Sequence, residues 1–329
     1  MRPFLFVILL LWSLQLSSSV YAQIPDDERA HAEDVEFANG DIRLAGTLLV
    51  PSGPRPFPAV VIVHGSGSSD RSNPWTSAYA DALVERGIAV LYPDKRGSGE
   101  SGGDWRDASF LELAEDAVAA IDVLSANSNV DASRVGLIGF SQGGHIIPVA
   151  ASRAPSVAFV INVSGSVVPM MEQIGDELRL MAEREGLTKN EVAAIQSIHE
   201  RAVHFVSTGG GWRAYADGLA EAKTGHLGET EVIKGFPTES DSPGWTYLRT
   251  IGDFDPLPYW RDVDVPALFL YGGRDENVDV YKSADVIEES LTPDGLAYSL
   301  LLFRKNGHAL YREDAMDFIA RWIRDGGVD

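Results

Sequence analysis

The chain has 329 residues, enough to bury a large core in one α/β domain with an insertion or in two modest domains. Its 27 Lys and Arg against 48 Asp and Glu give a formal charge of −21, a surface that repels nucleic acid and anionic membranes at low salt. There is no cysteine, which excludes disulfides, thiol catalysis, cysteine-ligated zinc and lipid anchoring through an N-terminal cysteine.

The first residues, MRPFLFVILLLWSLQLSSSVYAQ, place one basic residue, Arg2, before an apolar stretch from Phe4 to Leu16 and end on small residues, Val20 and Ala22. This is the layout of a secretory signal peptide over residues 1–22. Thirteen residues are too few for a spanning helix, which needs roughly 20. The expected location is therefore secreted or periplasmic, with no membrane anchor after cleavage.

Next, DVEFANGDIRLAGTLLVP alternates around Asn39-Gly40, a hairpin signal. After a proline-rich connector, AVVIVHGSGSS and GIAVLYPDKRGSGES each run from a short apolar strand into a glycine-rich loop, with a helix between them that stops at Gly87. SFLELAEDAVAAIDVLSAN is a clearer helix, with Ser109 and Glu112 spaced as a capping box. SVAFVINVSG is a further buried strand. From about Ser166 to Asp264 the pattern turns helical, polar and aromatic, and then VPALFLYGGRDENV and LAYSLLLFRKNGHAL restore strand and loop before an amphipathic last helix. Strands alternating with helices predict a mostly parallel sheet covered on both faces. The predicted layout is a catalytic domain from residues 23–165 and 263–329, interrupted by a helical lid over residues 166–262.

In VGLIGFSQGGHIIPVAA an apolar strand changes to helical spacing at Ser141. Gly139 and Gly143 relieve the crowding where a strand turns directly into a helix, the G-x-S-x-G geometry of a nucleophile elbow. GESGG around Ser101 matches the same expression, but its flanks are polar and it reads as a loop. A serine hydroxyl needs a base, and the base needs an orienting carboxylate. Asp275 and His308 each follow a strand through a glycine-containing loop, where ligand crevices form in parallel sheets. Asp279 lies close enough to compete with Asp275. For the oxyanion hole, the N–H of Gln142 follows the nucleophile and a second comes from HGSGSS, with Ser66 preferred and Gly67 next. His64 is read as a prop for that loop. The other histidines, His31, His145, His199, His204 and His226, show no metal-ligand spacing, so no metal and no cofactor is expected.

Taken together, HGSG, DKRGSGES, GFSQGG, YGGRDENV and NGH resemble an α/β-hydrolase of the serine carboxylesterase and serine aminopeptidase-like group over roughly residues 35–165 and 263–324. The resemblance implies an α/β-hydrolase fold with eight strands, and ester or amide hydrolysis through an acyl-enzyme. The expected function is that of a secreted serine carboxylesterase acting on small-molecule esters. A serine aminopeptidase or dipeptidyl-peptidase-like enzyme taking short peptides is the alternative, and a non-catalytic binding protein on the same fold is a further one. Oligomeric state is not legible. Eight aromatic residues of the insertion, Trp212, Trp245 and Trp260 among them, either line an acyl pocket or form the insertion's own core.

Overall fold

A computed structural model describes residues 30–327, so the signal peptide expected over residues 1–22 lies outside the described residues. Eight strands form one sheet: β1 (His31–Asn39), β2 (Ile42–Val50), β3 (Phe57–Val63), β4 (Ala89–Pro93), β5 (Val130–Phe140), β6 (Phe159–Val163), β7 (Ala267–Gly272) and β8 (Tyr298–Phe303). Their spatial order is β1-β2-β4-β3-β5-β6-β7-β8. β2 is antiparallel to both of its neighbours, and all pairings from β4 to β8 are parallel. The β1–β2 turn is Gly40-Asp41, one residue beyond the expected centre, since Asn39 still pairs with Ile42, and Gly40 takes a φ of 55°.

Both faces of the sheet are buried, and the strands show it residue by residue. In β3, Val61 and Val63 belong to the core that holds α2 (Phe110–Ala126) and α3 (Gly143–Arg153). Val60 and Ile62 join the core under α1 (Pro74–Glu85) and α11 (Glu313–Arg324). Alternate side chains leave a strand on opposite faces, so a strand covered on both sides must be apolar throughout. The Ser109–Glu112 capping box is formed at the start of α2.

Between β6 and β7 the chain is helical: α4 (Met170–Arg184), α5 (Lys189–Thr208), α6 (Trp212–Lys223), α7 (Glu231–Lys234), α8 (Pro243–Ile251) and α9 (Leu257–Arg261), with no strand. α10 (Val280–Val286) follows β7. The insertion has an apolar core of its own, containing Ile195, Phe205, Tyr215, Phe236 and Trp245, with Trp212 packed against it. Trp260 belongs instead to the main core, with its ring 4.9 Å from that of Phe269 on β7.

In this order β3 and β5 are neighbours although β4 follows β3 in the chain. The chain thus reverses its direction of travel across the sheet there, and a crevice opens beyond the strands' carboxyl ends. The loop after β3 carries Ser66, and the turn after β5 carries Ser141.

Candidate active site

Ser141 joins β5 to α3 with a φ of 51°, a left-handed conformation that costs a residue with a Cβ roughly 1–2 kcal/mol. The glycines around it are required by space. A Cβ at Gly139 would stand 2.7 Å from the carbonyl oxygen of Gly143, and one at Gly143 would stand 2.5 Å from that of Val63. The strain falls on the residue whose hydroxyl is presented, as is common at reactive positions, and Ser164, which holds the His308 carbonyl, shares it with a φ of 53°.

The structure brings Ser141, His308 and Asp275 together. The Ser141 hydroxyl lies 2.9 Å from His308 Nε2, and His308 Nδ1 lies 2.9 Å from each carboxylate oxygen of Asp275. A carboxylate only accepts, so Nδ1–H donates to Asp275 and Nε2 is left to accept the serine proton. Asp275 is held in turn: its Oδ1 accepts the N–H groups of Asn277 and Val278, both at 2.9 Å, and its side chain is fully buried. The His308 loop is fastened from three sides. Ser164 Oγ donates to the His308 carbonyl, Trp75 Nε1 and Tyr79 Oη donate to that of Leu310, and the Trp75 ring lies 5.4 Å from the imidazole.

The competing residues have other tasks. Asp279 caps α10 by accepting from the Lys282 N–H and pairs with Arg179 at 2.6 Å. Ser101 Oγ donates to the Asp94 carbonyl and accepts from the Ala45 N–H in a buried turn. His64 donates from Nε2 to the Pro93 carbonyl and accepts from Ser69 at Nδ1, and burial pushes it down to about 4. It supports the loop without reaching Ser141.

Ser66 and Gln142 line a pocket of about 70 Å³ with Ser141. His145, Gln173 and Glu177 line it too. Burial pushes the Glu177 carboxyl up, His308 draws it back down, and Asp275 pushes it up again. Glu177 also borders a second cavity of about 260 Å³ inside the insertion, among Met171, Leu178, Met181, Phe236 and Trp245. It therefore stands between the two spaces.

Among the described residues no group of three or more His, Asp or Glu is placed to hold a metal ion, and no helix is long and apolar enough to cross a membrane. Sequence reasoning missed Glu177, Lys95 and Ser164, and it took Tyr247 only as one of the insertion's eight aromatic residues, without the hydrogen bond that its hydroxyl accepts from Gln142 Nε2. Lys95 and Ser164 stood in the quoted motifs DKRGSGES and INVSG, but nothing in the pattern marked them as pointing inward.

A family model described as X-Pro dipeptidyl-peptidase (S15 family) matches residues 39–308. The chain belongs to this family. This S15-family chain is 26% identical over 326 residues to Esterase EstD of Thermotoga maritima, across 92% of its own length and 70% of the relative's. Solved structures show the same fold. The Pyrococcus furiosus esterase Pf2001 superposes with a TM-score of 0.59 at 18% identity, covering 92% of each chain. DcsB in complex with a substrate analogue gives a TM-score of 0.62 at 17% identity, covering 91% of this chain and all of that one. The S15-family chain is an α/β-hydrolase-fold serine hydrolase.

Proposed function

We propose that this protein is an exported serine esterase that cleaves carboxylic esters of small molecules through an acyl-enzyme on Ser141. One observation carries the reading: a strained elbow serine donates to His308, whose other nitrogen is fixed by a fully buried carboxylate. Ser141 Oγ attacks the ester carbonyl while its proton passes to His308 Nε2. The charge formed on the carbonyl oxygen is met by the N–H groups of Ser66 and Gln142. Collapse expels the alkoxide, which takes the proton from His308. A water molecule, deprotonated by the same nitrogen, then attacks the acyl carbon and releases acid and free Ser141. Asp275 keeps the imidazole in the tautomer that both halves require. Residues 23–165 and 263–329 form the catalytic body. The insertion over residues 166–262 acts as a lid whose inner cavity receives the apolar part of longer acyl groups.

A second reading is favoured by Glu177. A carboxylate in the same pocket as the nucleophile suits a substrate with a protonated amine close to the scissile bond, and membership of the S15 family points the same way. That reading makes the enzyme a peptidase acting on short peptides.

The test runs p-nitrophenyl esters beside aminoacyl-p-nitroanilides. The expected result is ester turnover that Ser141→Ala lowers by at least about 10⁴-fold in kcat, with a fluorophosphonate probe labelling Ser141 and leaving Ser101 free. Turnover confined to the anilides would establish the second reading. Label on Ser101 would overturn both.

A further inference from the structure

We propose that Lys95 is a positioning residue that clamps both arms of the oxyanion hole; the proposal rests on the assignment of that hole to Ser66 and Gln142. Lys95 follows β4 and is buried, with 7% of its surface exposed. Its ammonium has three N–H groups and meets three acceptors: the carbonyls of Gly65 at 2.7 Å and Gly67 at 3.1 Å, and Gln142 Oε1 at 3.2 Å.

The choice of acceptors is informative. The Gly65 carbonyl belongs to the same planar peptide unit as the Ser66 N–H. In a trans peptide the two point in opposite directions, so holding the oxygen on one side aims the N–H on the other. A cation on that oxygen also polarises the N–H and makes it a stronger donor. Through Gln142 Oε1 the same ammonium grips the residue that supplies the second donor. Gln142 Nε2 donates onward to Tyr247 Oη of α8 at 2.8 Å, and the Tyr247 ring lies 5.1 Å from that of Trp105. Trp105 in turn lies 5.3 Å from Lys95 Nζ, within cation–π range. Lys95, Gln142, Tyr247 and Trp105 thus close a ring joining the oxyanion arms to the insertion.

Among the described residues Lys95 makes no ion pair. The charged and titratable groups around it are committed elsewhere or silent near neutral pH. Asp94 is bound by Arg71, and Arg96 by Asp116. His64 titrates at about 4, and burial pushes Tyr247 above the ordinary tyrosine value. Burial without a counter-charge brings Lys95 down to about 7. On losing its proton the amine keeps two N–H groups for three acceptors, so the clamp loosens as the pH rises through that value.

The experiment compares the wild type with Lys95→Met and Lys95→Arg on p-nitrophenyl acetate across pH 6 to 9, and measures inhibition by an aryl trifluoromethyl ketone, whose hemiketal oxygen mimics the oxyanion. The expected Lys95→Met enzyme is folded, with kcat down by about 10²-fold, the loss typical of one oxyanion donor, and KM within threefold. Its ketone affinity falls in step with kcat, while binding of the acetate product does not change. The wild type loses kcat on the alkaline side of pH 7, and Lys95→Arg, whose charge does not titrate, recovers activity over Met without that limb. The proposal is overturned if Lys95→Met keeps kcat and ketone affinity within twofold, or if ketone and acetate affinities fall equally. If neither variant folds, a wild-type ketone affinity flat from pH 6 to 9 overturns it. A wild type without ester turnover would instead count against the esterase reading.

Discussion

Two aspartates four positions apart illustrate how side-chain environment separates chemistry from scaffolding. Asp275 is fully buried against His308, whereas Asp279 caps a helix and meets Arg179 near the surface. Asp275→Asn keeps an oxygen for the Asn277 and Val278 N–H groups but turns an NH₂ donor toward His308. The imidazole must then accept at Nδ1 and carry its proton on Nε2, the nitrogen that faces Ser141. The expected loss in kcat is on the order of 10⁴, the size seen for the same change in a serine protease. Asp279→Asn keeps the cap and loses one partly exposed ion pair, a change of about 1 kcal/mol or less in stability and little in kcat. Kinetics and urea unfolding of the two variants check both statements, and equal losses of kcat would refute the assignment. That Ser141, His308 and Asp275 would meet was legible from strand ends and chain order. Lys95, Glu177 and Tyr247 were not, because their meaning lies in which side chains they meet across residues distant in sequence.

The helical insertion resolves a question that its composition left open. Trp245 sits in the insertion's own core and Trp260 in the main core, and Trp212 packs beside the former. These rings are structural first, although Trp245 also borders the inner cavity. Acyl-chain preference is therefore expected to depend on the aliphatic side chains around that cavity. Leu178→Trp fills it from α4 and lowers kcat/KM for an octanoyl ester by about 10- to 200-fold relative to an acetyl ester, the range for differences of fit in an apolar pocket. Trp260→Ala leaves a void against Phe269, costs about 3–5 kcal/mol of stability, and leaves the octanoyl-to-acetyl ratio unchanged in the folded fraction. A ratio unaltered by Leu178→Trp would show that the cavity takes no part in binding. Amphipathic spacing announced the helices, but spacing does not say which of two cores a buried ring will join.

For the molecule as a whole, pH acts on stability through buried histidines. His64 and His145 are both buried, and burial pushes each from 6.5 down to about 4. Between these values the unfolded chain binds protons that the folded one refuses, so stability is fully present above about pH 6.5 and is lost as the pH falls toward 4. Each histidine contributes on the order of 3 kcal/mol across that window. Lys95, at about 7 when folded, is charged in both states below about pH 6, and from there up to pH 7 it adds a slope of the same sign, because the unfolded chain keeps a proton that the folded one begins to lose. Urea unfolding at pH 7, 6 and 5 should show a falling midpoint, and His145→Gln should flatten the fall while lowering stability at pH 7. A slope unchanged in the variant would mean that His145 does not carry the acid sensitivity.

Local chemistry written along the chain was enough for the strands, most helices, the elbow and the loops that carry Ser141, Asp275 and His308. Apolar runs, caps and glycine turns act over a few residues, and the sequence displays them directly. The pairing of β3 with β5, the ring of Lys95, Gln142, Tyr247 and Trp105, and the place of Glu177 between two cavities arose only on folding. Each depends on closing loops of tens to more than a hundred residues. Nothing in the local pattern records which polar group will find which partner once water has been excluded from between them.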